Sequence, residues 1–222
     1  MATAAILPVK RFEAAKQRLG EALGVKTRAA LAAAMFGDVL AQLRQARSLE
    51  MIVVVSGEPA VRELAKDAGA ILIDDAADKG QSHAALAGLT RAAAMGYHRA
   101  MLVPGDCPLI DPAEIDGLAG AALDLDVVIV PDRHGTGTNA LVLDPAGPFE
   151  PQFGPGSRER HVEQADRKGL SCLVETVASL ELDIDTGDDL GTLVAVLEAG
   201  RGRAPRTRGV LSQIGRSRTV AA

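Results

Sequence analysis

Short apolar runs alternate with amphipathic stretches along nearly the whole chain, and this alternation restricts the fold more than any other feature. Residues 4–9, 51–55, 70–73, 99–103, 126–130, 139–143 and 179–184 read as strands. Residues 27–46, 58–68, 82–95, 111–123, 157–168 and 187–199 read as helices between them. In the first helix Leu31, Met35, Val39 and Leu43 recur every fourth position, with Thr27 placed to cap it. Asp111-Pro112 is a helix-start pair. Strands that are apolar throughout are covered on both faces, and strand–helix alternation builds parallel βαβ units. The expected fold is α/β: a three-layer α/β/α sandwich around a mostly parallel sheet, with residues 1–200 as one domain.

Composition narrows the function. Hydrophobic residues make up 47% and charged residues 24%, enough for a packed core and against wholesale disorder. Aromatics are only 2%, with no Trp, which argues against a stacking platform for single-stranded nucleic acid. The net charge is −5, yet residues 201–222 hold Arg201, Arg203, Arg206, Arg208, Arg216 and Arg218 and no acid. The preceding part is therefore strongly acidic, and a nucleic-acid partner is not expected. The basic end reads as a disordered tail from about residue 201. Cys107 and Cys172 match no metal or redox spacing and fit a reducing compartment. The first ten residues are too short an apolar stretch for a signal peptide, and no apolar run is long enough to span a membrane. A cytoplasmic protein without a membrane partner is expected.

In α/β sheets ligands sit at the carboxyl ends of strands near the point where strand order switches. The loops there carry the chemistry-bearing residues. After the first strand, Lys10, Arg11, Lys16 and Arg18 place four cations in nine residues, suited to a polyphosphate. A solvated helix start is the plainer reading of the same residues. There is no Walker-type glycine loop. After residue 103, Pro104-Gly105-Asp106 delivers one carboxylate into a tight turn, where it could hold Mg²⁺ or cap its own backbone. Asp183 and Asp185 share a strand face by two-residue alternation. One of them could bind metal while the other caps the following helix. Gly135-Thr136-Gly137-Thr138-Asn139 offers amides and hydroxyls to an anion, or is simply a turn. Ser157, after Phe153-Gly154-Pro155-Gly156, reads as a helix N-cap at an anion-binding helix start, with Arg158, Arg160 and His161 nearby.

In this order, the motifs resemble the guanylyltransferases of coenzyme F-420 biosynthesis, the phosphoenolpyruvate / 2-phospho-L-lactate guanylyltransferase family. The matching residues are Pro8-Val9-Lys10-Arg11, Gly105-Asp106 with Pro108-Leu109, the Gly135–Asn139 loop, Phe153–Ser157 with His161, and Leu182-Asp183-Ile184-Asp185-Thr186. The resemblance implies a nucleotidyltransferase-type fold, like that of nucleotide-diphospho-sugar transferases, acting on GTP with Mg²⁺. By motif position, Asp106 and Asp183 would hold metal, with Asp185 beside them, and Lys10, Asp106 and Asp183 would be catalytic. Lys10, Thr138, Gly154 and Ser157 would contact a small phosphorylated three-carbon acid. Lys16, Arg18, Gly80 and Ser82 would face the nucleotide. Where the family has Gly-Leu-Asn-x-Ala-Leu, this chain has Gly80-Gln81-Ser82-His83-Ala84-Ala85-Leu86, a departure at the expected Asn.

The expected reaction needs no strong general base, because an acid's phosphate oxygen is already anionic when it attacks the α-phosphorus. Phosphoenolpyruvate, 2-phospho-L-lactate and 3-phospho-D-glycerate all present one phosphate and one carboxylate, so the acceptor stays open. Another nucleotidyltransferase, such as a molybdopterin cytidylyltransferase, is the nearest alternative, but those carry a Gly-rich first loop where this chain has Val9-Lys10-Arg11-Phe12. A glycosyltransferase using Asp183–Asp185 and a non-catalytic nucleotide-binding protein are the remaining readings. A homodimer is left open.

Overall fold

The computed structural model describes residues 2–12, 19 and 23–220. Its strands are β1 (Thr3–Pro8), β2 (Leu49–Val55), β3 (Ile71–Ile73), β4 (Arg99–Leu102), β5 (Val127–Pro131), β6 (Thr138–Leu143) and β7 (Cys172–Val174). Its helices are α1 (Val25–Leu43), α2 (Pro59–Asp67), α3 (Gln81–Ala94), α4 (Pro112–Ala121), α5 (Ser157–Lys168), α6 (Gly187–Glu198) and α7 (Pro205–Val220). The seven strands form one sheet in the order β3-β2-β1-β4-β6-β5-β7. Strand β6 runs antiparallel to both β4 and β5, and the other pairs are parallel. The expected mostly parallel α/β/α sandwich is what forms.

Alternation along each strand divides the core. Ala5, Leu7, Val54, Met101, Val128 and Val142 point to the face covered by α1, α2 and α4. Ala4, Ile6, Val53, Val55, Leu102, Ile129 and Leu141 point to the face covered by α3 and α5. Helix α3 lies unusually close to the sheet, for a Cβ on Gly88 would stand 2.3 Å from Ile6 Cγ2.

Four expectations need correction. The stretch expected to be disordered from residue 201 is helical over α7 and packs on α1. Buried Asp38 of α1 accepts the backbone N–H groups of Arg206 and Thr207 at 3.1 and 2.8 Å, capping α7 from another helix. Val210, Leu211 and Ile214 cover an apolar cluster containing Leu31, Met35, Ile184 and Leu193. Arginine-rich composition concealed this narrow apolar stripe. The strand expected at 179–184 is instead a 3₁₀ turn (Ala178–Leu180) followed by an irregular segment, while β7, only three residues long, fills the sheet edge. The α1 helix begins at Val25, ahead of Thr27, with Gly24 at its N-cap. Ser157 is the first residue of α5 rather than its cap, which is Gly156 at φ 69°.

Candidate active site

The strand order switches where β1 lies between β2 and β4, and the chain leaves both central strands at one sheet edge. Lys10 follows β1, and Pro104-Gly105-Asp106 follows β4. Strand β5 ends at Pro131, the antiparallel β6 starts at Thr138, and the loop joining them stands at the same edge. Together with the segments at 153–157 and 183–189 these residues line a cleft of about 590 Å³.

Of the residues expected from sequence, Lys10, Asp106, Thr138, Gly154, Ser157, Asp183 and Asp185 all line this cleft. Gly80 caps α3 at φ 100°, and its neighbour Gln81 reaches the cleft wall. Ser82 instead braces a loop. Its Oγ accepts the backbone N–H of Phe153 at 2.9 Å, tying the start of α3 to the 153–157 segment. Lys16 and Arg18 lie outside the described residues.

The acidic side of the cleft is built by backbone pairing. The Ile184 N–H donates to the Asp106 carbonyl at 3.2 Å, bringing the 182–186 segment against the β4 turn. Asn139, buried at the start of β6, donates from Nδ2 to the Leu180 carbonyl at 2.6 Å and to Asp183 Oδ1 at 3.4 Å. Burial, then the negative charges of Asp106 and Asp185, push the Asp183 carboxyl up to about 6. A carboxylate held against its own kind in this way suits a hard divalent cation, which takes oxygen donors and is completed by substrate phosphate and water. Neither Asp183 nor Asp185 caps α6. That position belongs to Thr186, whose hydroxyl and backbone bond reciprocally with Asp189. Asp189 also accepts the Asp185 N–H at 3.0 Å and pairs with Arg133 at 2.5 Å, and these hydrogen bonds and the guanidinium hold it below the usual carboxylate range despite burial. Both aspartates of the Asp-x-Asp pair line the cleft.

The opposite side is braced from α5. Gly154 (φ 111°) and Gly156 (φ 69°) take left-handed conformations that a side chain would strain, which lets the loop turn sharply into the helix. Arg160 donates to the carbonyls of Gln152 and Pro155 at 3.0 and 2.5 Å, and Arg158 donates to that of Gly135 at 3.1 Å. These two arginines, expected near an anion, hold the loops together instead. His161 is fully buried, with its ring nitrogens 2.9 Å from Thr138 Oγ1 and 2.8 Å from the Gln152 N. Burial, reinforced by the Arg160 charge, lowers its pKa to about 4. Sequence reasoning placed Ser82 toward the nucleotide and Asn139 only within the Gly135–Asn139 loop, without the contacts they make here, and it missed Asp189 altogether. The Thr186-x-x-Asp189 spacing of a capping box was the available signal for Asp189.

Residues 3–216 match the family model described as guanylyl transferase CofC like. The chain belongs to the CofC-like guanylyl transferase family. Among curated relatives, the phosphoenolpyruvate guanylyltransferase of Conexibacter woesei is 43% identical over 216 residues, covering 96% of this chain and 97% of the relative. The 2-phospho-L-lactate guanylyltransferase of Methanothermobacter thermautotrophicus is 35% identical over 194 residues, covering 87% and 85%. In fold, this CofC-like chain resembles a nucleotidyl transferase from Methanothermobacter (TM-score 0.66, 17% identity, 90% and 99% coverage). It also resembles a cytidylyltransferase from Leptospira borgpetersenii (TM-score 0.59, 15% identity, 98% and 95% coverage). The CofC-like chain is a nucleotidyltransferase. Among its described residues, no helix is long and apolar enough to cross a membrane.

Proposed function

We propose that this chain transfers GMP from GTP to the phosphate of a small phosphorylated three-carbon acid, phosphoenolpyruvate or 2-phospho-L-lactate, within coenzyme F-420 biosynthesis. The observation that carries this reading is the cleft itself. One wall is a cluster of like-charged carboxylates, the other a braced Gly/Thr/Ser loop pair, and Lys10 stands between β1 and the opening.

The nucleophile is an acceptor phosphate oxygen, which forms a bond to the α-phosphorus of GTP. The bond from the α-phosphorus to the β-bridging oxygen breaks, and pyrophosphate leaves with the electron pair. No protein base is required, since the attacking oxygen carries its charge near neutral pH. Asp106 and Asp183, with Asp185 alongside, would hold the divalent cation, Mg²⁺. That ion supplies charge neutralisation to the triphosphate and the leaving group. Lys10 adds positive charge where the two substrates' phosphates meet. Thr138, the amides around Gly154 and the start of α5 at Ser157 bind the acceptor, anions being favoured at a helix N-terminus. Gly80 and the start of α3 face the nucleotide. Ser82 supports this side through the loop it holds. For Lys16 and Arg18, which lie outside the described residues, contact with the triphosphate is proposed from the sequence alone. The reaction belongs in the cytoplasm, where GTP is made.

The test is to incubate purified protein with GTP, Mg²⁺ and each of phosphoenolpyruvate, 2-phospho-L-lactate and 3-phospho-D-glycerate, following pyrophosphate release. One of the first two acids should support turnover well above the other acids. Equal, background release with all three would overturn the reading.

A further inference from the structure

The Gln152 backbone N–H can only donate, so the His161 nitrogen it meets at 2.8 Å, Nε2, carries no proton. A neutral ring then bears its hydrogen on Nδ1, and Nδ1 stands 2.9 Å from Thr138 Oγ1. The histidine is thus the donor in that contact. Thr138 Oγ1 accepts, and its own hydrogen is released to point at some other acceptor. Thr138 lines the cleft, while the imidazole is sealed behind it with 0% exposure. The ring is also wedged between two aromatic side chains. Phe149 lies 5.6 Å away in a tilted arrangement, and Phe153 lies 5.8 Å away edge-on. Burial and the neighbouring Arg160 guanidinium keep the ring from charging.

We propose that His161 is a positioning residue for the acceptor: it fixes Thr138 as a hydrogen-bond donor to the substrate anion and, through Gln152, sets the path of the 152–155 loop. The inference rests on the acceptor reading of the Thr138 loop given above. A protonated or Nε2–H imidazole would break one of the two contacts. A second proton on the ring has no acceptor at the Gln152 amide, and moving the proton to Nε2 would turn Thr138 into the donor toward the histidine. In that state the hydroxyl would offer the cleft a lone pair instead of a hydrogen, the wrong polarity for a phosphate or carboxylate oxygen.

Two substitutions separate the halves of this arrangement. The amide oxygen of Gln falls near the imidazole Nε2 and can keep the Gln152 contact, while the amide nitrogen of Asn falls near Nδ1 and can keep the Thr138 contact. His161→Gln leaves the Thr138 hydroxyl in place but no longer fixed as a donor. It should raise the acceptor KM severalfold, up to about tenfold if the hydroxyl's bond to the anion is lost, with the GTP KM unchanged. His161→Asn should recover most of that loss. The double variant should have an acceptor KM no higher than Thr138→Val alone, because both changes act through the same bond from Thr138 to the anion. If Thr138→Val alone leaves the acceptor KM unmoved, the placement of the acceptor fails and takes this inference with it. If Thr138→Val raises it and His161→Gln does not, or His161→Gln weakens GTP and acceptor alike, the positioning role alone is overturned. A ¹⁵N-histidine spectrum of the unaltered protein decides the point even where a variant does not fold. Near neutral pH it should show a neutral Nδ1–H ring for His161, and an Nε2–H ring or an imidazolium contradicts the inference.

Discussion

The backbone N–H of Ile184 donates to the carbonyl of Asp106 at 3.2 Å, and this bond joins two distant parts of the chain whose carboxylates line the same cleft. It belongs to no sheet ladder, and with the Asn139 bonds to Leu180 and Asp183 it holds the 182–186 segment at the end of β4. The like charges this creates at Asp106, Asp183 and Asp185 oppose folding, and a cation would offset them.

That opposition predicts a trade between stability and activity at Asp183. Its pKa is raised in the folded protein, so the ionised group destabilises the fold above about pH 6, and the cost disappears as pH falls below the ordinary carboxylate value. Without divalent cation, Asp183→Asn should therefore stabilise the protein near pH 7.5 by about 1–2 kcal/mol, less than the full shift implies because solvent partly reaches the group. The gain should shrink toward pH 4. Turnover should fall by roughly 100-fold or more. Thermal unfolding in chelator across this pH range, set beside steady-state rates, checks both halves.

His161 makes the opposite pH signature. Its pKa drops from 6.5 to about 4 on folding, so between these values the unfolded chain binds more protons. Stability should then be lost as pH falls from 6.5 toward 4, by on the order of 3 kcal/mol. Urea unfolding at stepped pH should show this loss in the unaltered protein and a flatter dependence in His161→Gln.

The C-terminal helix should prove structural. Asp38→Ala removes two bonds to the first turn of α7 and should cost about 1–2 kcal/mol. Deleting residues 204–222 should cost more, because it also uncovers the cluster of Leu31, Met35 and Leu193. Loss of melting temperature with both changes is the expected result. An unaltered melting temperature after deletion would restore the picture of a free tail.

Close packing of α3 on the sheet gives a fourth test. Gly88→Ala should destabilise by about 1–3 kcal/mol through overpacking against Ile6. Combined with Ile6→Ala, the two costs should sum to less than their separate values, since the second change opens space for the first. A double-mutant cycle on unfolding free energies measures this.

The sandwich was legible because strands apolar on both faces leave only one way to be covered, and loops at the carboxyl ends of β1 and β4 followed from that. Lys10, Asp106, Thr138, Gly154, Ser157, Asp183 and Asp185 were all found in the cleft for the same reason. Pairings that depend on distant chain segments were hidden. Nothing near Asn139 in sequence announces that it will hold Leu180 and Asp183, nor does Ser82 reveal its bond to Phe153. The 179–184 stretch has a strand's composition, yet Asn139 and Asp106 satisfy its backbone without a ladder. In α7 the arginines dominated the composition and masked Val210, Leu211 and Ile214, which pack inward.

The most direct measurement is the identity of the product. After incubation with GTP, Mg²⁺ and the preferred acid, phosphorus NMR should show a diphosphate that links GMP to the acid's phosphate, formed in equal amount to pyrophosphate. Asp106→Asn should leave the same substrates unconverted. Appearance of GDP and inorganic phosphate, or of pyrophosphate with free GMP and an unchanged acid, would contradict guanylyl transfer to the acceptor.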